Sequence, residues 1–362
     1  MRRPFCLLVS LFILAFDAEQ VRAGYLDENP DEVFAGVYAQ LGTSLPVNVA
    51  RDPQVWVLLD QLKREACDQQ SIDELALLLE KKGYRRPAAE ALFNFVRQCG
   101  APISALQKST GIFLKLSDYL KAVEVADEFV RRAPTNSSAH YYRGEALEGA
   151  GDFRRAVVDY ANAIELYGDK KRISSRVFVR MADAYAALGQ FCEAASSILT
   201  WVALDPVNHD TSATRKIISD YEQRGNCRSS KQSLSERFAM RGTQDVVRVK
   251  AQVNGVQGVF IIDTGASYVS VKSAFAERAK IPQTNSEITL ATANGTAKGS
   301  LSKADKIVLG KLEAIGVPVV VQKTDDKNFG LGIDGLLGMS FLSRFEVQLS
   351  GGFIEVRTRR PK

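Results

Sequence analysis

Histidine is nearly absent from this 362-residue chain, which has only His140 and His209. That scarcity argues against a histidine-rich metal site and against a Ser-His-Asp triad, since both need imidazole at fixed places. Cysteine is sparse too, and no pair of the five has zinc-ligand spacing. Neither sign of charge dominates. The net charge of +5 is small for this length, and the short basic clusters at Lys170-Lys171-Arg172 and Arg359-Arg360 read as solvated faces and a tail. Nucleic acid is therefore not an expected partner. Beyond the N-terminus no apolar run is long enough to cross a bilayer. What is present is an ordinary globular composition, 46% apolar and 25% charged, at a length that suits two or three folded units.

The N-terminus reads as a targeting segment. Arg2 and Arg3 precede the apolar run "FCLLVSLFILAF", which is short for a span, and "VRA" at 21–23 has the small-residue pattern of a cleavage site. A signal peptide over 1–23, cut after Ala23, is expected, with an uncleaved anchor as the alternative. A periplasmic or secreted location follows, with no stable membrane span after cleavage. Cys6 leaves with the signal, and the even set Cys67, Cys99, Cys192 and Cys227 suits disulfides in an oxidising compartment. Residues 24–68 contain two helical stretches, "DEVFAGVYAQL" and "PQVWVLLDQLKREA", with Trp56 as a core residue.

From there a pattern repeats. Turns at Gly83-Tyr84, Ser117-Asp118-Tyr119, Gly151-Asp152-Phe153 and Gly189-Gln190-Phe191 are spaced 34, 34 and 38 residues apart. Five residues after each turn's first residue stands an alanine, namely Ala88, Ala122, Ala156 and Ala194. Small residues there let paired helices approach. Gly144 and Ala182 fill the small position of the first helix, and Pro134 and Pro206 stand at repeat ends. A 34-residue period is that of the tetratricopeptide repeat, or TPR, and residues 69–208 resemble such an array, most closely over 137–208. A segment near 211–224 would cap the stack, giving a helical repeat domain over 69–227. The resemblance implies a concave groove for a peptide, a substrate or an adaptor. In this register antiparallel helices bring Cys67 to Cys99 and Cys192 to Cys227. Four buried thiols remain the alternative.

Residues 228–242 are polar and read as a linker. Beyond them the hydrophobic period becomes two. "VVRVKAQVNGVQGVFIIDTG" reads as a β-hairpin turning at Asn254-Gly255, and more strand-like runs follow, with one short helix at "KSAFAERA". Residues 243–362 thus suggest a small all-β barrel, giving a multidomain chain, all-α array first and all-β barrel second.

One strand ends on a carboxylate, "FIIDTGASYVSV" at 260–271. An unpaired carboxylate is costly in apolar company. Downstream lie "TLATANGTAKG" and "IDGLLGMSFL". Together these motifs resemble the retropepsin-like aspartic proteases over about 243–358, most closely the bacterial branch. The resemblance implies Asp263 as the catalytic carboxylate in a turn held by Thr264, Gly265 and Ala266. It implies Ala293, Asn294, Gly295 and Thr296 at the tip of a substrate-covering flap, and Leu336, Leu337 and Gly338 as support behind the active-site loop. It implies a homodimer as well. The chain has one Asp-Thr-Gly, and the mechanism needs two carboxylates sharing a proton. No metal or organic cofactor is implied. Viral members follow the glycine with a basic residue, whereas Met339 and Ser340 stand here, which removes an interface contact. On the residues alone, Asp263 could be a simple turn residue, as could Asp334 in "GIDG". The expected function is exported aspartic endopeptidase; the alternative is a non-catalytic scaffold or peptide-binding protein with a dimerising barrel.

Overall fold

The computed structural model describes residues 28–100, 102–227, 234–240, 246–292, 295–322, 329–350 and 352–359. The signal peptide expected over 1–23 lies outside them. Among the described residues no helix is long and apolar enough to cross a membrane. The chain has two compact units, Met1–Ala133 and Pro134–Lys362.

The first unit is helical. Helices α1 (Pro30–Val33), α2 (Ala35–Leu41), α3 (Val47–Ala50) and α4 (Pro53–Arg64) lead into two antiparallel pairs. These are α5 (Gln69–Lys81) with α6 (Arg85–Cys99), and α7 (Ile103–Lys115) with α8 (Tyr119–Arg132). Trp56 is in the core, its ring edge-on to Phe34 at 4.7 Å between centroids. A disulfide joins Cys67 to Cys99.

The second unit begins with two more pairs, α9 (Ser137–Gly149) with α10 (Phe153–Glu165), and α11 (Ser175–Ala187) with α12 (Phe191–Leu204). A 3₁₀ turn at Lys170–Arg172 accounts for the longer third step of the repeat. Short α13 (Pro206–His209) and capping α14 (Ser212–Gly225) follow, and a second disulfide joins Cys192 to Cys227.

In all four pairs the turn hinges on one left-handed residue. Gly83, Gly151 and Gly189 have φ of 89°, 82° and 73°, and Ser117 takes the same place at 56°. Left-handed backbone is easy only for glycine, so the recurring glycine marks the hinge. After two of these turns an aspartate caps the next helix, Asp118 accepting the Lys121 N–H and Asp152 that of Arg155. Ala88, Ala122, Ala156 and Ala194 are fully buried. Both histidines are tied into this helical structure. His140 bridges Asp159 and the Pro134 carbonyl at 2.9 Å each, and His209 stacks on Trp201.

The same unit contains the barrel. Its main sheet has the order β2 (Arg248–Val253), β3 (Val256–Ile262), β8 (Gly335–Leu337), β4 (Val269–Lys272), β7 (Leu312–Gln322), β6 (Gly295–Leu309), β5 (Glu287–Thr292). Pairing of β2 with β6 at Gln252↔Val308 and Val253↔Ile307 closes it. Strands β2 and β3 form the hairpin read from the sequence, with Asn254 and Gly255 both at positive φ. Helix α15 (Ser273–Arg278) packs beside β4 and β7. Strand β6 is long enough to pair with β5 near its start, with β2 near its end and with β7 along most of its length.

The structure adds detail at two of the expected boundaries. Residues 235–239, expected within a linker over 228–242, form strand β1 (Ser235–Ala239). It pairs with β10 (Phe353–Thr358), which pairs with β9 (Phe345–Ser350). The chain's two compact units meet at Ala133/Pro134, so the helical pairs after that point fall in one unit with the barrel. The physical reason is burial. Residues 316–322 of β7 are buried on both faces, one toward the barrel core and the other under α12. Helix α12 is in turn buried on most sides, at Cys192 through Leu199 and at Val202.

Helices α9 and α10 approach closely at Gly144, where a Cβ would sit 2.7 Å from the buried Tyr160 ring. Replacing Gly144 with Leu is expected to overpack the α9–α10 seam and destabilise the second unit by about 1–3 kcal/mol, read by urea unfolding followed by circular dichroism.

Candidate active site

Strand β3 carries Phe260-Ile261-Ile262 and stops one residue before Asp263. It runs parallel to β8, with Ile261 opposite Leu336 and Ile262 opposite Leu337. Strand β8 in turn pairs antiparallel with β4. One short strand therefore separates the two arms of the Asp263 loop and fixes both.

The loop is tied at each end. Asp263 N–H donates to the Leu337 carbonyl at 3.0 Å, and Met339 and Ser340 N–H donate to the carbonyls of Ala266 and Ser267 at 2.8 and 2.9 Å. Gly338 sits where these backbones cross. A Cβ there would lie 2.2 Å from the Tyr268 carbonyl oxygen, so no larger residue fits. Within the loop, Asp263 Oδ1 accepts the N–H groups of Gly265 and Ala266 at 2.8 and 3.2 Å. Two amides on one carboxylate oxygen fix its direction. Asp263 and Ala266 are half-buried, while Thr264 and Gly265 are exposed.

The structure thus brings Asp263, Thr264, Gly265, Ala266, Leu336, Leu337 and Gly338 into one assembly. For the flap, it describes Gly295 and Thr296, both exposed at the start of β6, while Ala293 and Asn294 lie outside the described residues. Gly295 pairs with Thr292 across the β5–β6 hairpin.

Asp334 is occupied elsewhere. Its Oδ2 accepts the Val259 N–H at 2.8 Å and its Oδ1 pairs with Arg278 at 2.9 Å. Val259 precedes Asp263 by four strand residues, about 13 Å along β3, so Asp334 cannot share a proton with Asp263. Among the described residues no group of three or more His, Cys, Asp or Glu side chains is placed to hold a metal ion.

Ser340 does more than the sequence reading gave it. Its buried hydroxyl accepts the Val269 N–H at 2.9 Å and donates to the Pro318 carbonyl at 2.7 Å, fastening β4 and β7 behind the loop. Its position next to "LLGM" was the available signal.

Helices of the same unit reach this assembly too. Ser196 on α12 donates to the Ser340 carbonyl at 3.0 Å. Arg344 donates to the carbonyls of Ile315, Gly316 and Cys192, joining β7 to the start of α12. Desolvation pushes the Arg344 pKa down to about 10, which leaves it charged at neutral pH. Tyr268 is buried beside Tyr185 and Glu165, and burial raises its phenol well above the ordinary value, so it stays neutral.

Residues 249–341 match the family model described as aspartyl protease. The chain carries an aspartyl protease domain. Among solved structures it is similar to a retropepsin-like aspartic protease from Rickettsia conorii, at 26% identity over 36% of this chain and 94% of that one, with a TM-score of 0.26. The helical part is similar to MamA of Desulfovibrio magneticus RS-1, at 15% identity over 50% of this chain and 98% of that one, TM-score 0.36. It is also similar to a thermophilic TPR protein of Thermus thermophilus, at 17% identity over 54% of this chain and 98% of that one, TM-score 0.33. A comparison with curated proteins finds no match.

Removing the Ser340 hydroxyl strands the buried Val269 N–H inside the protease domain. Ser340→Ala is expected to destabilise the second unit by about 1–3 kcal/mol, seen as a lower melting temperature of the full chain.

Proposed function

We propose that this protein is an exported aspartic endopeptidase that works as a homodimer. The observation that carries the reading is the Asp263 carboxylate, held by two backbone amides at the end of β3 inside a stretch that matches aspartyl proteases. Asp263 of two chains would face each other and share one proton, because two close carboxylates cannot both stay charged. The ionised partner takes a proton from water as the water oxygen bonds to the amide carbon. The protonated partner gives its proton to the carbonyl oxygen, forming a neutral gem-diol. The aspartate that took the water proton gives it to the nitrogen while its partner takes a proton from a gem-diol hydroxyl; the C–N bond breaks, and the carboxyl and amine products leave.

Thr264, Gly265 and Ala266 hold the catalytic turn in this reading, Leu336, Leu337 and Gly338 support it, and Ala293 to Thr296 cover an extended peptide. The tetratricopeptide array recruits the protein substrate or an adaptor. The two disulfides fit an oxidising compartment, and cleavage after Ala23 would place the mature chain in the periplasm or outside the cell. The chemistry calls for no metal or organic cofactor.

The test uses a diverse peptide library from acidic to neutral pH, with cuts read by mass spectrometry. The full chain is expected to make internal cuts and Asp263→Asn to make none. The rate is expected to rise more steeply than linearly with protein concentration in the range where dimers form. Equal cutting by both proteins removes Asp263 from the site. No cutting by a folded dimer favours a peptide-binding scaffold.

A further inference from the structure

Strand β5 ends the order of the main sheet, so its outer edge offers unpaired backbone groups. Helix α10 lies along that edge. There the Asn162 side chain does what a neighbouring strand would do. Its Oδ1 accepts the Thr289 N–H at 2.7 Å, and its Nδ2 donates to the Glu287 carbonyl at 3.3 Å. Nδ2 also donates to Val158 within the helix, at 3.1 Å. Asn162 is only 3% exposed. A carboxamide presents one acceptor and one donor side by side, the pattern of a peptide edge, which no apolar or hydroxyl side chain reproduces.

The chain just beyond α10 touches the other half of the site. Lys170 Nζ donates to Ser267 Oγ at 2.9 Å, and Ser267 lies in the loop that Asp263 opens. Lys170 is held by Glu165 on the last turn of α10 at 3.1 Å. Glu165 is 3% exposed, and a carboxylate so buried needs that cation. One helix and the turn after it thus grip the hairpin strand and the catalytic loop separately.

We propose that α10 braces the catalytic cleft, with Asn162 fixing the hairpin that covers substrate and Lys170 fixing the Asp263 loop through Ser267. Both are positioning residues, and neither touches the reacting atoms. The proposal rests on the protease reading for its catalytic consequence, but the brace itself can be measured without activity. With Asn162→Ala the β5 edge is freed. The hairpin then has to be ordered at the moment of binding, and that entropy is lost from substrate affinity.

The experiment compares full-length wild type, Asn162→Ala and Lys170→Met by amide hydrogen exchange and by kinetics on a peptide the wild type cuts. Asn162→Ala is expected to speed exchange of Thr289 at least tenfold, with the amides of 319–321 in β7 unchanged. It is expected to lower kcat/KM about tenfold, mostly through KM. Lys170→Met is expected to act mainly on kcat and to speed exchange in 265–269. Unchanged exchange at Thr289 in Asn162→Ala overturns the proposal, as does a uniform rise across the barrel, which would mean simple destabilisation. Faster exchange at β5 with unaltered kinetics overturns the catalytic consequence. If Asn162→Ala does not fold, Lys170→Met decides by the same two readouts. A wild type that cuts nothing defeats the protease reading, and the exchange result still decides the brace.

Discussion

The arrangement depends on how an irregular loop is kept rigid. Between the end of β3 and the start of β4 the chain has no secondary structure of its own, and buried backbone groups without partners would be expensive. The segment around Leu337 to Ser340 supplies the partners: two N–H groups, one carbonyl and one hydroxyl, with Gly338 thin enough to let the strands cross. The direction of the Asp263 carboxylate follows from this. Its two amide donors belong to the same loop, so whatever loosens the loop also turns the acid.

A second layer of support comes from the helices of the same unit. Buried Ser196, Ser197 and small alanines on α12 let it lie close to β7, and Arg344 spans the seam with its charge directed at carbonyl oxygens. Polar groups on α10 and α12 that would ordinarily face water, Asn162 and Ser196 among them, have their partners on the barrel. These helices have given up part of a free repeat's solvated surface to become a wall of the protease domain.

The features legible in the sequence were those that depend on neighbours close along the chain. A left-handed turn needs glycine, so Gly83, Gly151 and Gly189 announced their hinges, and the period placed the exceptional Ser117 among them. Asn254-Gly255 marked its hairpin for the same reason. The Asp-Thr-Gly and Leu-Leu-Gly motifs stood out because each packs a special backbone into a few residues. Long-range contacts were not legible. "SERFA" looks like polar linker because both faces of β1 stay partly exposed, and its partner lies more than a hundred residues away. Asn162 carries no local signal and Lys170 read as part of a solvated basic cluster, since nothing nearby in the chain reveals that a sheet edge and a loop meet them. The unit boundary at Ala133/Pro134 escaped for that reason too: repeat periodicity runs straight through it.

The chain order of the second unit has a consequence for biogenesis. Helices α9 to α12 are synthesised before any barrel strand, and the faces that will meet β5 and β7 are complete long before those strands exist. During that interval Ile164, which lies with Ser196 and Thr200 against Tyr268 and Pro318 of the barrel, lacks that covering. Strands β9 and β10, made after all strands of the main sheet, also complete the sheet that holds β1. A nascent chain of this protein therefore passes through a long stage with sticky helical faces, during which a holding chaperone has a defined surface to occupy.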